Sequence, residues 1–171
     1  TDEAVTLADR TCQRGIVAGL SRRFPTDSII GEEDDTGAGI TFHCPDPDGR
    51  AWVIDPIDGT ANFVRGIPFW CVSIGLVSAG RAVVGLVYDS VADELFSASE
   101  SAGATRNGVP ITVSGETRID RARIGVGFSY RRPVAPHTDA IRALPEAKCE
   151  YLRLGSRARP TAYLADGRFD R

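Results

Sequence analysis

Two aspartates three residues apart, Asp55 and Asp58, close an apolar run in the segment Trp52-Val53-Ile54-Asp55-Pro56-Ile57-Asp58-Gly59-Thr60-Ala61-Asn62-Phe63. Pro56 sets the backbone between them and denies it a helix. A strand over Ala51–Asp55 would therefore deliver Asp55 to its C-terminal edge and bring Asp58 back beside it. Two carboxylates and the carbonyl of Ile57 make a hard-oxygen donor set, suited to Mg2+ or Mn2+ rather than to zinc. Gly59-Thr60 would then open a helix or turn whose N–H groups aim at the same point, a cradle for phosphate. Cations beside such a cradle suit transfer of a phosphoryl group to water, because they screen the phosphate oxygens and generate hydroxide. A second acidic pair, Glu32-Glu33, also follows a short apolar run and adds weight to the metal reading. Asp-Pro and Asp-Gly are equally ordinary turn dipeptides, so a plain acidic turn accounts for the same residues. Residue types and spacing leave both open.

Several elements must place these groups. Val5, Ala8, Cys12, Ile16 and Leu20 recur at helical spacing, which predicts an amphipathic helix over residues 6–23, stopped by Phe24-Pro25. Ser28–Gly31 reads as a strand that delivers Glu32, and residues 36–50 as a Gly-, Pro- and Asp-rich surface loop. Cys71–Val77 and Ala82–Asp89 are predicted as antiparallel strands about the turn Ser78-Ala79-Gly80-Arg81, with a third strand at Glu94–Ala98. Asn107-Gly108 supplies the positive φ angles of a tight hairpin. Strands are expected at Ala122–Phe128 and Cys149–Leu154, and a short helix at His137–Leu144. A last helix over Ser156–Asp166 would be capped by Ser156 and ended by Gly167.

The chain has 171 residues, enough for one domain with a real core. Apolar residues make up 42% and charged residues 25%, which excludes a disordered or collagen-like chain. The longest apolar stretches, Phe69–Ala79 and Ala82–Tyr88, are too short to span a bilayer. The net charge of −3 is unevenly spread: nine acids between Asp27 and Asp58 face a single base, Arg50. Such a stretch is either solvated or offset by bound cations. A mildly acidic total argues against a dedicated nucleic-acid binder. Cys12, Cys44, Cys71 and Cys149 show no paired-ligand spacing, and with only His43 and His137 no zinc set forms; reduced, mostly buried thiols are expected.

In sequence, Trp52–Phe63 resembles, nearly without gaps, the first signature of the inositol monophosphatase family of Mg2+-dependent phosphatases. Other pieces similar to that family follow its order: Val5-Thr6-Leu7-Ala8-Asp9, Ile30-Gly31-Glu32-Glu33, Pro68-Phe69 with Val72-Ser73-Ile74-Gly75, Gly103-Ala104 with Asn107-Gly108, and Leu154-Gly155-Ser156 with Ala162-Tyr163. The resemblance covers essentially all 171 residues. It implies an α+β fold of alternating helix and mixed-sheet layers, incomplete at both ends, in one phosphatase domain over residues 1–171. It also implies roles. Glu32, Asp55, Asp58 and the Ile57 carbonyl would be metal ligands. Asp9, Glu32 and Thr60 would activate and orient the nucleophilic water. Asp58, Gly59, Thr60, Gly155 and Ser156 would contact the substrate, with Ser129 a weaker candidate.

Three departures from the family pattern matter. Its second signature, a Trp-Asp-x-Ala element that carries a metal-ligating aspartate, does not occur before the last residue, Arg171. The chain also opens on Thr1 rather than an initiator, so a longer protein around this chain is expected. Arg157, Arg159 and Pro160 stand where small residues are usual; the arginines are expected on the solvated face of their helix rather than at a second anion. Lastly, Ala61-Asn62 follows Thr60 in place of the lysine of relatives acting on 3′-phosphoadenosine phosphate, which favours the inositol-phosphate branch.

The expectation is thus a cytoplasmic, homodimeric, lithium-sensitive Mg2+ phosphatase (Mn2+ as an alternative) acting on a small phosphorylated substrate, myo-inositol monophosphate first. Fructose-1,6-bisphosphate, histidinol phosphate and 3′-phosphoadenosine 5′-phosphate are the alternatives within that chemistry. A non-catalytic metal- or partner-binding protein, or an inert fragment, is the alternative of another class. Neither a membrane nor a nucleic acid is expected as partner. Arg118, Arg121, Arg123, Arg131 and Arg132 are expected to be solvated, and His43 an ordinary loop histidine.

Overall fold

A computed structural model of the chain describes residues 7–32, 49–129 and 132–171. Glu33, His43, Cys44, Arg131 and most of the acidic loop named above lie outside the described residues.

Helix α1 (Leu7–Arg23) is followed by strand β1 (Ser28–Gly31) and strand β2 (Arg50–Asp58). β1 and β2 pair in parallel, Ser28 opposite Ala51 and Gly31 opposite Ile54, and the Glu32 N–H donates to the Ile54 carbonyl at 2.9 Å. From β2 the sheet continues as an antiparallel meander through β3 (Cys71–Ser78), β4 (Arg81–Asp89), β5 (Glu94–Ser99), β6 (Gly103–Arg106) and β7 (Val109–Pro110), in that spatial order. The β6–β7 turn has Asn107 at φ 49° and Gly108 at φ 78°, the hairpin expected of Asn-Gly. Between β2 and β3 lies a short helix, α2 (Thr60–Val64). A second, two-stranded parallel sheet pairs β8 (Arg123–Gly125) with β9 (Glu150–Leu152), and helix α3 (Val134–Glu146) connects them. Helix α4 (Ala158–Ala165) comes last.

The apolar pattern explains the packing. Ala51, Trp52, Ile54 and Ile57 of β2 are buried with Cys71 and Leu76 of β3 and Phe96 of β5. Burying each large side chain is worth about 1.5–3 kcal/mol. α1 packs on β2, α4 on β3 and β4. Trp52 stacks on Phe24 at 5.0 Å, and its indole N–H donates to Asp27 at 2.9 Å. Asp27 also pairs with Arg50 at 3.2 Å, so one of the nine acids is neutralised locally.

Several elements differ from expectation, among them β9, which spans Glu150–Leu152 and not Cys149–Leu154, and α4, which starts at Ala158 and not at Ser156. β2 does not stop at Asp55: the ladder resumes at Asp58, opposite Cys71, after a bulge. Pro56 cannot donate to the ladder, so the extra residue is accommodated there. α3 begins at Val134 rather than His137, because Pro136 falls in its first turn, where a missing N–H costs nothing. β8 ends at Gly125, short of Phe128; beyond it Val126 still donates to Leu152, at 2.8 Å, before the chain leaves β9.

Candidate active site

Parallel pairing sets Glu32 and Asp55 side by side. Glu32 follows the end of β1 and Asp55 follows the last β2 residue paired with it, Ile54, so both stand where the parallel pairing ends, the edge of an α/β sheet at which ligands usually bind. Their carboxyl groups share a hydrogen bond, and the Ile57 N–H donates to Asp55. Burial, then the charges of Glu32 and Asp58, push the Asp55 carboxyl up to about 9. One Asp55 oxygen is buried with no hydrogen-bond partner. A crowded carboxylate with one buried, unpartnered oxygen is costly unless it takes up a proton or a cation satisfies it.

The β2 bulge determines where Asp58 points. On a regular strand, residues three apart face opposite sides. Here Asp55 to Asp58 spans three residues while Ser73 to Cys71 spans two, so the extra residue returns Asp58 toward the side of Asp55. Asp58 is buried and reaches across to the start of α4. It accepts the N–H groups of Arg157 (2.7 Å) and Ala158 (2.5 Å) and the Ser156 hydroxyl (2.5 Å). A carboxylate at the start of a helix meets unpaired N–H groups and the positive end of the dipole. The Cys71 thiol also faces Asp58, at 3.6 Å; burial and then the Asp58 charge push that thiol up to about 12.

On the other side, Gly59 caps α2 with φ 100°, a conformation open to glycine, and a Cβ there would lie 3.1 Å from the Phe69 carbonyl. Thr60 opens the helix. Its hydroxyl stands 3.0 Å from the Ile57 carbonyl and 3.4 Å from a carboxylate oxygen of Asp9, so its one proton can serve either. Asp9, on α1, is 1% exposed. Gly155 has φ 83° and packs against Asn62, whose amide donates to both Phe69 O and Leu154 O at 2.7 Å.

The fold therefore gathers the anticipated residues into two linked groups: Glu32 with Asp55, and Asp58 with Ser156 and the start of α4, joined through the Ile57–Thr60 turn to Asp9. Among the described residues, no three His, Cys, Asp or Glu side chains converge on one point as a ligand set. The oxygen donors that fit a hard divalent cation are Glu32, Asp55 with its unpartnered oxygen, and the backbone carbonyl of Ile57.

Arg159 corrects the expectation of a solvated face. It is 6% exposed, ion-pairs with Asp89, donates to the Pro68 carbonyl at 2.9 Å and stacks on Phe69 with its guanidinium carbon 4.0 Å from the ring centre. Arg157 is exposed, as expected. Asn62 had entered only as a marker of substrate branch; here it is a bridge between α2 and the segment before α4. Arg118 and Arg123 pair with Asp120 and Glu150 at the surface. Cys12, Cys71 and Cys149 are free thiols, and Ser129 lines a cavity with Arg132, His137 and Arg157.

A mixed sheet flanked by helices, with carboxylates where two parallel strands part beside two helix starts, defines a layered α+β protein. The model of the inositol monophosphatase family matches residues 1–171, and the chain belongs to that family. It is 36% identical to the Nus factor SuhB of Pseudomonas aeruginosa, over 97% of this chain and 61% of that protein. It is 35% identical to inositol monophosphatase 1 of Solanum lycopersicum, over 98% and 62% respectively. The structure of the inositol monophosphatase from Anabaena superposes with a TM-score of 0.85 at 35% identity, covering 96% of this chain and 64% of that one. Two further structures, the first from Staphylococcus aureus, carry ligands. A Ca-bound family protein matches with TM-score 0.80 and 25% identity, over 99% of this chain and 60% of that one. IMPase-II bound to inositol monophosphate matches with TM-score 0.77 and 26% identity, over 94% and 60%. The chain thus spans about three fifths of the length of the curated relatives it matches.

Proposed function

We propose that the protein carrying this chain is a Mg2+-dependent phosphomonoesterase that hydrolyses myo-inositol monophosphate to inositol and phosphate. The observation that carries this reading is the Glu32–Asp55 carboxyl pair, in which Asp55 keeps one buried, unpartnered oxygen, together with the Thr60–Asp9 contact. Glu32, Asp55 and the Ile57 carbonyl would hold Mg2+, with Mn2+ as an alternative, and Asp58 would serve ion and substrate together. When bound there, a divalent cation supplies positive charge to the phosphate oxygens and makes water acidic enough to attack at neutral pH. The N–H groups of Gly59 and Thr60 would hold the phosphate, and Gly155 and Ser156 the alcohol side of the substrate. Thr60 would accept the proton of the attacking water as its own hydroxyl proton passes to Asp9, while Glu32 orients that water. The water oxygen bonds to phosphorus, the ester P–O bond breaks, and the departing alkoxide takes a proton from solvent.

Family membership further supports a homodimer, lithium inhibition and a cytoplasmic location; residues 1–171 would form most of one phosphatase domain, completed by a Trp-Asp element elsewhere in the full protein. No helix among the described residues is long and apolar enough to cross a membrane. The test is phosphate release from inositol 1-phosphate by the full-length protein, with Mg2+ and with excess chelator. Release that requires Mg2+ is expected; none in either condition, from folded protein, overturns the reading. A second reading rests on the 36% identity to a protein named a Nus factor: the chain would then serve as one. Asp55→Asn separates the two, since it should abolish phosphate release and leave such a role untouched.

A further inference from the structure

Arg159 and Asp89 form a buried ion pair far along the chain from the carboxylates at the strand ends. Asp89 is 0% exposed. One of its oxygens accepts the N–H groups of Val91 (3.0 Å) and Ala92 (3.1 Å), which pins the β4–β5 turn, and the other faces Arg159. A buried pair of this kind repays its desolvation only if the remaining donors are satisfied. Arg159 meets that condition: it donates to the Pro68 carbonyl and to the Tyr163 hydroxyl (3.0 Å), and it lies over Phe69. Its backbone matters as much. The Arg159 N–H donates to Ser156 Oγ at 3.2 Å, and that same hydroxyl donates to Asp58. Arg159 therefore holds three things at once: the first turn of α4, whose N–H groups grip Asp58; the Pro68–Phe69 segment, whose carbonyl packs against Gly59; and the β4–β5 turn.

We propose that the Arg159–Asp89 pair is a positioning device for Asp58 and the Gly59 cradle: it sets where the start of α4 stands relative to β2, and through it the orientation of the Asp58 carboxylate. Neither residue is assigned any contact with substrate or metal. The consequence for turnover rests on the phosphatase reading above; the consequence for α4 does not.

The experiment uses the full-length protein with Asp89→Asn, Arg159→Met and the double variant. The amide introduced by Asp89→Asn retains an oxygen for the Val91 and Ala92 N–H groups, so that variant keeps the turn. The double variant leaves no buried charge unpaired, which protects folding. Arg106→Met, which breaks the part-buried pair with Asp166 at the other end of α4, is the control for general destabilisation. Two quantities are read: amide hydrogen exchange across residues 156–160, and kcat and KM for inositol 1-phosphate. In the three test variants, exchange of the Arg157 and Ala158 amides should accelerate about tenfold or more. kcat should fall about tenfold or more with a smaller change in KM, the mark of misplacement rather than lost affinity. Arg106→Met should lower the melting temperature and leave both quantities within about twofold. If Asp89→Asn and Arg159→Met behave like Arg106→Met, losing stability alone, the pair is merely structural and the proposal falls. If the unsubstituted protein releases no phosphate, the phosphatase reading fails, and amide exchange still decides the role of the pair.

Discussion

Asp55 concentrates the chemistry of the site into one side chain. Its carboxyl is crowded by Glu32 and Asp58 and keeps a buried oxygen without a partner. Asp55→Asn removes the charge at almost constant volume. Phosphate release should drop by about two orders of magnitude or more, the scale of losing one electrostatic element of an active site. The unliganded protein should be about as stable, because a carboxyl pushed up to about 9 is already neutral there at pH 7 and an amide of the same volume replaces it. Thermal melting with and without Mg2+ tests both halves: the Mg2+-induced rise, about 1.4 kcal/mol at ten times Kd, should vanish in the variant. A rise equal to that of the parent would remove Asp55 from the ligand set. Gly155 carries a different burden. At φ 83°, a Cβ would stand 2.8 Å from the Asn62 amide nitrogen, whose two hydrogen bonds tie α2 to the approach of α4. Gly155→Ala should cost about 1–3 kcal/mol through backbone strain and loss of those bonds, read as a lower denaturation midpoint.

At the scale of elements, β2 is where pattern and geometry part. Alternation along Trp52–Asp55 is legible, as is the break at Pro56. The one-residue bulge that returns Asp58 to the side of Asp55 is not, because a bulge depends on which β3 residues pair across from it. The far hairpin is the opposite case. Asn107 adopts φ 49°, which Asn-Gly implies locally; its side chain then accepts the Leu95 N–H at 2.7 Å and donates to the Asp93 carbonyl at 3.1 Å, contacts that the pairing of β5 with β6 supplies. Asn107→Ala should cost about 1 kcal/mol or slightly more in chemical denaturation. It should leave any phosphatase rate unchanged, since no residue of the site lies on β6 or β7.

Across the whole molecule, the last residues are bound to the middle of the sheet by charge. Arg168 forks onto Glu94, and Arg106 reaches both Glu94 and Asp166. The Arg168 hydrogen bond, then the charges of Arg168 and Arg106, hold the Glu94 carboxyl below its ordinary value despite the opposing effect of partial burial. A carboxyl whose folded-state pKa is depressed stabilises fully above its unfolded value, about 4.3 for Glu, and loses that contribution as pH falls through the folded value. Glu94→Gln should therefore lower stability at neutral pH and flatten the acid limb of the stability profile. Melting temperatures from pH 7 down to pH 3 check this; a parallel downward shift at every pH would refute it.

Much of this protein was readable along the chain. The helix over α1, the meander of β3 to β5, the Asn-Gly hairpin and the family motif around Asp55 all depend on local periodicity or on short runs of residue types, which a linear chain displays directly. The placement of Arg159 was not readable. Beside Arg157 and in a helix it looked solvated, and its partner Asp89 lies 70 residues earlier in a strand whose pattern marks only an end. Nor did Asn62 announce that it would bridge Phe69 and Leu154. Local propensity is a property of neighbours in sequence, whereas the burial of a charge is decided by which distant groups arrive to satisfy it. In this chain the tertiary structure alone brings α4 to the end of β2, where its N–H groups close on Asp58.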